Sequence, residues 1–360
     1  MSKRVVVAMS GGVDSSACAA LLHAQGYECI GVTMKLWDGP EAVEGHHKTC
    51  CTLDDVSDAR RVAGQLGIPF YVANFKEPFA RHVIDDFVAS YQHGYTPNPC
   101  AQCNRHLKFA ALQQRAQQLG ADCVATGHYA SVVRADDGRY HIRRGRDAGK
   151  DQSYFLFDLS QAQLSHAMFP LGDFSKDEVR GMAAQFGLKV AAKAESQEIC
   201  FVPGGDYRTF LRPRLDADTL QPGPIVDTAG KVLGEHQGLP FYTVGQRRGL
   251  GIAATQPLHV VGVQPADNTL VVGTRHEATR DAFTVERLNW MRTPPERPLD
   301  TTVQIRYRQQ PIPATVCPAD NAQARVVLRD PQFAVAPGQA AVFYDGDTVI
   351  GGGWIARHTD

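Results

Sequence analysis

Three cysteines in this sequence have neighbours that suit reaction chemistry. Cys100 and Cys103 are three residues apart and follow the Thr-Pro-Asn-Pro segment 96–99, whose prolines predict a rigid loop that opens a helix. The dipole of a helix favours the ionised form of a thiol at its N-terminus, so the pKa of such a thiol falls below the value of about 8.5 for free cysteine. Cys200 lies shortly before a Pro-Gly-Gly turn. The sequence therefore makes Cys100 and Cys103 candidates for thiolate chemistry, with Cys200 as a third candidate.

The Cys-x-x-Cys pair alone has three interpretations: half of a zinc site, a redox pair, or two helix-start cysteines without chemistry. The sequence contains neither a second Cys-x-x-Cys nor a His-x-x-x-His, which disfavours structural zinc. Cys50 and Cys51 could complete a site, but adjacent thiols rarely both reach one ion. We expect four other cysteines to be small buried hydrophobic residues, namely Cys18, Cys29, Cys123 and Cys317.

A motif rich in glycine and serine, Ser-Gly-Gly-Val-Asp-Ser-Ser over 10–16, lies between an apolar run and a helical pattern. Glycines let the backbone approach an anion, and the N–H groups at a helix N-terminus point toward it. The motif lacks the Gly-Lys-Ser/Thr ending of the common P-loop and the third glycine of the dinucleotide fingerprint. It resembles the PP-loop of ATP pyrophosphatases, which adenylate a carbonyl oxygen and release pyrophosphate. We therefore predict a phosphate site here.

Composition is that of an ordinary globular protein. The 360 residues are 43% hydrophobic and 21% charged, which excludes a disordered or collagenous chain. The formal net charge of −1 excludes a polycationic coat protein but not an enzyme with a local basic surface. No apolar run approaches the ~18 residues of a membrane-spanning helix, and the nine cysteines, an odd number, argue against a disulfide framework. We expect a cytoplasmic protein without a membrane partner.

The elements that must position these residues change in type along the chain. Short apolar runs alternate with longer helical patterns up to residue 205, which is typical of a doubly wound α/β fold. Beyond that point, frequent Gly and Pro separate short β-branched runs, which indicates β structure. The predicted helices include 14–25, 53–66, 76–92 and 105–119. We predict a Rossmann-like PP-loop domain with a parallel sheet over 1–205, a small β-rich domain over 206–278 and a C-terminal β-barrel over 279–360.

Six ordered motifs resemble one family, the tRNA-specific 2-thiouridylases of the PP-loop superfamily, which thiolate the wobble uridine of tRNA. They are spread from residue 8 to residue 250, and weaker likeness continues to the end. Six motifs in order are far more specific than any one of them. They are the PP-loop, Thr-Pro-Asn-Pro-x-x-x-Cys-Asn from 96 with Lys108-Phe109, Ala-Thr-Gly-His-Tyr over 125–129, Lys-Asp-Gln-Ser-Tyr-Phe-Leu over 150–156, Ser-Gln-Glu-Ile-Cys-Phe over 196–201, and Thr-Val-Gly-Gln-Arg-Arg-Gly over 243–249.

This resemblance implies an ATP site and a pair of sulfur-transfer residues. The uridine O2 would attack the α-phosphate of ATP, and Asp14 would contribute to a Mg²⁺ site. Cys200 would carry a persulfide, while Cys103 would assist the transfer and afterwards form a disulfide with Cys200. A persulfide is a strong nucleophile and AMP is a good leaving group. The implied ATP-binding residues are Ala8, Met9, Ser10, Gly11, Gly12, Val13, Asp14, Ser15, Met34 and Gly127.

Cys100 departs from the family pattern, because many relatives have an aspartate there. A third thiol weakens a general-base role at this position. Three thiolates suit iron–sulfur chemistry. The sequence therefore leaves two alternatives open: a persulfide relay, or a 4Fe-4S cluster held by Cys100, Cys103 and Cys200 with one open iron for sulfide.

The resemblance also implies contacts with tRNA, some of them in the C-terminal barrel. Asn98, Pro99 and Cys100 would touch the target base, which must leave its stack at a cost of a few kcal/mol. The expected partners are the anticodon loop of tRNA and an upstream sulfur-relay donor protein. We expect no DNA partner. The residues implied to contact tRNA are His128, Lys150, Asp151, Gln152, Arg306, Tyr307 and Gln339.

Two other functions remain open from the residues. Another PP-loop adenylating enzyme, such as a ligase or amidotransferase, would not need Cys103 or Cys200. A non-enzymatic, ATP-responsive RNA-binding protein would bind tRNA without turning over ATP.

Overall fold

A computed structural model describes residues 3–38, 53–193, 199–319 and 322–358 of the chain. Cys50, Cys51 and residues 196–198 of the Ser-Gln-Glu-Ile-Cys-Phe motif lie outside the described residues. The chain divides into two compact units. The first unit comprises Met1–Ile84, Cys100–Gly205 and Asp347–Ile350, and the second comprises Asp85–Pro99, Asp206–Gly346 and Gly351–Asp360.

Helices and strands alternate in the first part of the chain, and strands dominate after residue 222. Within the described ranges, no helix has the length and apolar character needed to cross a membrane. The helices are α1 (Val13–Ala24), α2 (Leu53–Leu66), α3 (Lys76–Phe79), α4 (Asp85–Gln92), α5 (Pro99–Gln102), α6 (Leu112–Gln118), α7 (Gln161–Leu164), α8 (Lys176–Gln185) and α9 (Tyr207–Leu211), with π-helical segments at Ala80–Ile84 and Cys103–Ala111. Short 3-10 helices cover Ser153–Phe155, Lys189–Ala192, Pro203–Gly205, Arg212–Arg214, Leu239–Phe241 and Pro265–Asp267. The strands are β1 (Arg4–Ala8), β2 (Glu28–Lys35), β3 (Phe70–Asn74), β4 (Cys123–Ala125), β5 (Ala130–Arg134), β6 (Tyr140–Arg144), β7 (Ala167–Met168), β8 (Gly223–Val226), β9 (Val232–His236), β10 (His259–Gln264), β11 (Thr269–Gly273), β12 (Thr279–Trp290), β13 (Leu299–Gln304), β14 (Ile312–Ala319), β15 (Gln323–Phe333), β16 (Ala340–Asp345) and β17 (Thr348–Ile355).

A parallel sheet with the strand order β3-β2-β1-β4-β7 forms the centre of the first unit. Val5, Val6 and Val7 of the middle strand are fully buried, as expected for a parallel strand that is covered on both faces. Helices α1, α2 and α8 share one hydrophobic cluster with this sheet. The strand order reverses between β1 and β4, and open α/β sheets bind ligands at such a switch point. The predicted Rossmann-like fold is confirmed.

The helix that carries the two thiols begins earlier than predicted. It starts at Pro99 and not at residue 105, because proline has no N–H to lose at the first position of a helix. Cys100 and Cys103 therefore lie within helical backbone, and not on a loop before it. A π-helix follows from Cys103 to Ala111. π-Helical turns are rare in proteins, and those that occur are frequently found at functional sites.

The second unit is rich in β structure, as predicted. Four strands form a sheet in the order β10-β11-β8-β9. Strands β12 to β17, in the order β12-β15-β14-β13-β16-β17, close into a barrel because β12 also pairs with β17. Strand β17 contains a run of three glycines, a residue with low strand propensity, so the sequence alone does not indicate it. The first residues of β17, Thr348 and Val349, belong to the first unit, where they pair with Arg143 and Ile142. The β-rich fold is confirmed, while the boundaries at 205 and 278 remain predictions.

Candidate functional site

The nucleotide loop, residues 9–15, joins β1 to α1. Gly12 is the N-cap residue of α1 and has an extended backbone. The Ser15 hydroxyl accepts a hydrogen bond from the Ser10 backbone N–H at 3.1 Å and donates to the Gly12 carbonyl at 3.2 Å. A hydroxyl of the loop itself therefore fixes the backbone at the N-terminus of a helix, where the helix dipole favours an anion.

Close packing explains why two positions in or beside this loop are occupied by glycine. Gly11 has φ of 73°, and a Cβ atom there would lie 2.2 Å from the carbonyl oxygen of Asp55 in α2. Gly127 follows β4, and a Cβ atom there would lie 2.8 Å from the carbonyl carbon of Asp14. A side chain at either position would push the loop away from its neighbours. Gly127, an implied ATP residue, thus lies against the nucleotide loop.

Strand β2 ends beside the same loop. The Thr33 hydroxyl donates to the Met9 carbonyl at 2.7 Å, and Met34 is the next residue of the strand. Ala8 is the last residue of β1 and leads into the loop. The structure thus brings the ten implied ATP residues together at the carboxyl end of the sheet. That they bind ATP remains a prediction.

Two lysines from distant parts of the sequence hold the loop. Lys176, the first residue of α8, donates to both carboxylate oxygens of Asp14, at 2.7 and 2.9 Å. The Tyr129 hydroxyl donates to one of these oxygens at 2.8 Å. Lys193 donates to the Gly11 carbonyl at 3.0 Å. In the sequence, Ser175 and Glu178 indicate only a helix cap around Lys176, and nothing in that local pattern indicates a partner 162 residues away.

Lys193 is balanced by two carboxylates. Burial disfavours its charge, but hydrogen bonds from the ammonium to Asp55 (2.7 Å) and Asp58 (2.6 Å) outweigh burial and raise the pKa of the lysine. This lysine therefore braces the nucleotide loop against α2.

Asp14 is the residue of the nucleotide loop that would serve as a ligand of a magnesium ion. Mg²⁺ takes carboxylate oxygens, usually one or two together with substrate phosphates. Asp14 offers such oxygens, but both accept hydrogen bonds from Lys176. Among the described residues, no three His, Cys, Asp or Glu side chains are close enough to hold a metal ion. Asp14 would therefore hold Mg²⁺ only together with the nucleotide phosphates.

The Cys103 segment, residues 103–111, carries one predicted nucleophile. Cys103 is half-buried and Cys100 is exposed. The neighbouring Asn104 is 1% exposed, and its side-chain amide donates to the Phe155 carbonyl at 3.0 Å. The backbone beside Cys103 is therefore held by a buried neighbour, while Cys103 itself is only half-buried.

Two histidines stack beside the Cys103 segment. The rings of His106 and His82 are 4.6 Å apart between centroids and 5° from parallel. Burial, together with the nearby His82 and Arg105, lowers the pKa of His106 to about 4. The ring of His106 is therefore neutral near pH 7, and this pair connects the Cys103 segment to the π-helical residues 80–84.

Cys200 is attached to the same helical stretch. Cys200 is half-buried, and the following Phe201 is buried and packs edge-on against Phe79, with 5.6 Å between ring centroids. Phe79 and His82 belong to one continuous helical stretch, residues 76–84. The segments that carry Cys103 and Cys200 thus border the same stretch of helix.

His128 is a buried link between β4 and the Cys103 segment. Its Nδ1 lies 2.6 Å from the Thr126 hydroxyl, and its Nε2 lies 3.4 Å from the Lys108 ammonium. Burial, followed by the charge of Lys108, lowers the pKa of His128 well below its usual value. Lysine can only donate, so Nε2 accepts and the proton resides on Nδ1. Because Gly127 touches the nucleotide loop, residues 126–128 connect that loop to the Cys103 segment. A direct tRNA contact by His128 remains a prediction.

A tight turn carries Lys150, Asp151 and Gln152, which are implied to contact tRNA. Asp151 is buried and accepts a hydrogen bond from Arg144 at 2.7 Å. The Gln152 side chain accepts a hydrogen bond from the Tyr129 backbone N–H at 3.1 Å. Lys150 is half-buried. Two of the three side chains therefore shape the turn itself, and their contact with tRNA remains a prediction.

In the second unit, Gln339 holds the loop that carries two implied base contacts. Its side-chain amide donates to the carbonyls of Thr96 (3.1 Å) and Pro97 (2.9 Å). Asn98 and Pro99, the next residues of this loop, are buried. The structure thus brings together three implied RNA residues that are about 240 positions apart in the sequence.

Arg306 and Tyr307, also implied to contact tRNA, lie in the second unit. The Arg306 guanidinium donates to the carbonyls of Phe333 and Ala334. Tyr307 is half-buried, and the Arg308 guanidinium lies 5.6 Å from its ring centroid. Arg306 therefore supports the end of β15, and contact of either residue with tRNA remains a prediction.

The cluster alternative requires three thiols close together. Cys100, Cys103 and Cys200 all belong to the described residues, yet within those residues no three potential ligands are close enough to hold a metal ion. Cys100 is exposed, whereas the other two are half-buried. The thiols as arranged do not fit an iron–sulfur cluster, and the persulfide alternative needs only two of them.

Fold and site together define an α/β protein with a PP-loop and β-rich C-terminal parts. Family models match three stretches of the chain: "tRNA methyl transferase HUP domain" over residues 3–204, "tRNA methyl transferase PRC-barrel domain" over 208–274 and "Aminomethyltransferase beta-barrel domain" over 280–355. Among solved structures, NMN synthetase from Francisella tularensis shares 18% identity at a TM-score of 0.33, over 54% of this chain and 66% of that one, which is too weak to carry an argument.

Curated relatives match nearly the whole chain. The tRNA-specific 2-thiouridylase MnmA of Geobacter metallireducens is 54% identical over 98% of this chain and 96% of its own length. The proteins of the same name from Chloroflexus aurantiacus and Moorella thermoacetica are 52% and 51% identical, over 98% and 97% of this chain and 98% of their own lengths. The chain belongs to the tRNA-specific 2-thiouridylase family, so the resemblance drawn from the six motifs is confirmed.

Proposed function

We propose that this protein uses ATP to convert the wobble uridine of tRNA to 2-thiouridine. One observation carries the proposal: residues 126–128 touch the nucleotide loop through Gly127 and the Cys103 segment through His128 and Lys108. An adenylating site and a nucleophilic thiol are thereby attached to one strand end. Membership of the 2-thiouridylase family identifies the substrate class.

The first step is adenylation of the base. The uridine O2 attacks the α-phosphorus of ATP, the bond from that phosphorus to the bridging oxygen breaks, and pyrophosphate leaves. The N-terminus of α1 stabilises the charge that develops on the leaving group, because preorganised N–H donors need no reorganisation. Magnesium, when bound with the phosphates, would neutralise part of that charge. Asp14 would be its protein ligand.

The second step transfers sulfur. The terminal sulfur of a Cys200 persulfide attacks C2, the C2–O bond breaks and AMP leaves. The Cys103 thiolate then attacks the Sγ atom of Cys200, which releases 2-thiouridine and leaves a Cys103–Cys200 disulfide. A thiol reductant restores the two thiols, and a sulfur-relay donor protein restores the persulfide. The attachment of both cysteine segments to the helical stretch 76–84 supports this pairing.

The RNA partner would be the anticodon loop of tRNA. Asn98, Pro99 and Cys100 would meet the displaced base, with Gln339 supporting their loop. The compartment proposed for the reaction is the cytoplasm, and DNA is not a proposed substrate.

The test is a reconstituted reaction in which the full chain, tRNA transcript, ATP and a persulfide donor are combined and nucleosides are measured by mass spectrometry. The wild-type chain should form 2-thiouridine, and Cys200→Ser and Cys103→Ser should lower its formation by at least about 1,000-fold. Both variants should still bind ATP. Cys317→Ser, a half-buried cysteine in β14, is the matched control and should react as wild type.

Other outcomes would favour the remaining alternatives. Product formation by both serine variants would contradict sulfur transfer through these thiols and favour another adenylating enzyme. tRNA binding that responds to ATP but neither consumes ATP nor yields product, under conditions in which a known thiouridylase reacts, would contradict an enzymatic role.

A further inference from the structure

Cys100 and Cys103 lie three positions apart in one continuous helical stretch that begins at Pro99. Gln102, between them, has helical backbone angles, with φ of −60° and ψ of −44°. Residues three apart on a helix face the same side. Helix geometry sets their Cα atoms about 5 Å apart, and disulfides join Cα atoms about 4.4–6.8 Å apart. A Cys100–Cys103 bond therefore needs only a local adjustment in the first turn, where the backbone N–H groups have no intrahelical partner.

The cysteines proposed for sulfur transfer and their neighbour Cys100 differ in access to solvent. Cys100 is exposed, whereas Cys103 and Cys200 are half-buried. Thiol–disulfide exchange requires direct attack of a thiolate on a sulfur atom, so access decides which sulfur a reductant from solution reaches. Of these three cysteines, Cys100 is therefore the one most open to such a reductant.

The disulfide left by the proposed sulfur transfer has no exposed sulfur. It joins Cys103 and Cys200, both half-buried. The buried side chains of Asn104 and Phe201 anchor the backbone beside the two cysteines. Cys100, in contrast, is attached to the chain one helical turn from Cys103. A thiol held in the same chain acts at an effective concentration far above that of a dissolved thiol.

Two other cysteines of the first unit show the opposite arrangement. Cys18 and Cys29 are buried among apolar residues. Burial raises the pKa of Cys29 to about 11 and raises the pKa of Cys18 as well. These thiols remain protonated near pH 7 and do not compete with Cys100 for a disulfide, because the thiolate is the attacking species.

We propose that Cys100 is the thiol that resolves the Cys103–Cys200 disulfide after sulfur transfer. The Cys100 thiolate, formed by loss of its proton to solvent, attacks the Sγ atom of Cys103. The Cys103–Cys200 bond breaks, and its electron pair leaves on Cys200 as a thiolate that accepts the next persulfide sulfur. A dithiol reductant then attacks Cys100, restores both thiols of the helix and is itself oxidised to a disulfide. This inference rests on the proposed function, since that reaction supplies the disulfide.

The first test identifies the disulfide that is present after one turnover. The full chain, loaded with persulfide, reacts with ATP and tRNA without reductant. Acid stops the exchange, alkylation blocks the remaining thiols, and mass spectrometry of peptides locates the bond. Wild type should contain mainly the Cys100–Cys103 bond, and Cys100→Ser should retain the Cys103–Cys200 bond.

Two results of this test would count against the proposals in different ways. Formation of 2-thiouridine together with a persistent Cys103–Cys200 bond in wild type would overturn the inference and leave the proposed function intact. Absence of 2-thiouridine from the wild-type reaction would refute both.

The second test measures the dependence of the steady-state rate on dithiothreitol. Cys100→Ser should need at least about tenfold more of this dithiol than wild type for half of its own maximal rate. Loss of a contact with the base would change KM for tRNA instead, so the rates are compared at saturating tRNA. Cys317→Ser, in the second unit, should follow the wild-type curve. Equal dithiol requirements in Cys100→Ser and wild type would overturn the inference.

A third measurement needs no turnover. Cys200→Ser removes the sulfur-transfer thiol, so only the helical pair remains for exchange. In glutathione buffers of increasing oxidised fraction, this variant should form the Cys100–Cys103 disulfide, as peptide mass spectrometry would show. Failure of the bond to form at any glutathione ratio would show that the helix does not accommodate it and would overturn the inference.

Discussion

The nucleotide loop and the Cys103 segment are held in different ways. Charged groups from remote elements fix the loop, with Lys176 on Asp14 and Lys193 on Gly11. Two contacts fix the Cys103 segment: the ring of His106 stacks on that of His82, and the buried side-chain amide of Asn104 donates to the Phe155 carbonyl. Both regions belong to the first unit and both border residues 126–128.

This difference follows from what each region must do. Backbone N–H groups bind an anion only when several of them point to one place, so the loop backbone itself must be fixed. A thiol reacts at one side-chain atom, so only its backbone must be anchored while the sulfur stays accessible. The loop should therefore be sensitive to backbone changes, and the Cys103 segment to changes in its anchors.

The largest expected effect tests the backbone of the loop. Gly11→Ala places a Cβ atom at φ of 73° and 2.2 Å from the Asp55 carbonyl oxygen. Left-handed strain of about 1–2 kcal/mol and overpacking of about 1–3 kcal/mol should together lower the free energy of unfolding by about 2–5 kcal/mol. Displacement of the loop should also weaken ATP binding by at least about tenfold. Chemical denaturation and calorimetry measure the two effects.

A matched variant isolates the close contact. Gly26 has φ of 84°, and a Cβ atom there would meet nothing within 4 Å. Gly26→Ala should therefore cost only about 1 kcal/mol of strain and leave ATP binding unchanged. Equal losses of ATP affinity in the two variants would show that the contact with α2 is irrelevant to the nucleotide site.

The second prediction tests the anchor of the Cys103 segment by pH. The pKa of His106 is about 4 in the folded chain, against about 6.5 when unfolded. Above pH 6.5 the ring is neutral in both states, and its contribution to stability is fully present. Between pH 6.5 and 4 the unfolded chain binds the proton first, so the stability falls as the pH falls. After allowance for solvent screening, we expect a loss of about 1–2 kcal/mol.

His106→Gln should remove that part of the acid loss. The measurement is urea denaturation at pH 7.0 and pH 4.5 for wild type, His106→Gln and His23→Gln, where His23 is an exposed residue of α1. The His106 variant should lose less stability on acidification than the other two proteins. The same acid loss in all three would mean that the stacked ring is not the group responsible.

The nucleotide loop could be predicted from the sequence, because its features are backbone features of consecutive residues. The loop at Gly11 and Gly12 has a local motif, because strand, turn and helix are adjacent in the chain. The contact of Lys176 with this loop could not be predicted, since the local pattern around that residue shows only a helix cap. The sequence predicts the thiol helix from residue 105, whereas the helix begins at Pro99, because proline suits the first turn of a helix as well as a loop. Contacts between remote side chains leave no periodic signal, and they decide how the site is held.

The smallest expected effect concerns the loop at residues 96–99, and it tests whether a side chain distant in sequence fixes this loop as Lys176 and Lys193 fix the nucleotide loop. Gln339 reaches across about 240 residues of sequence to the carbonyls of Thr96 and Pro97, and the loop leads to Asn98 and Pro99. Gln339→Met keeps the volume and removes both hydrogen bonds, so stability should fall by about 1 kcal/mol. Gln264→Met, at an exposed position in the second unit, should have no effect. If Gln339 acts by fixing this loop, KM for tRNA in the thiolation assay should rise severalfold while ATP affinity stays constant. Lower stability with an unchanged KM would mean that Gln339 contributes to folding but not to tRNA binding. Of the two loops, only the nucleotide loop would then depend for its function on side chains from distant parts of the sequence.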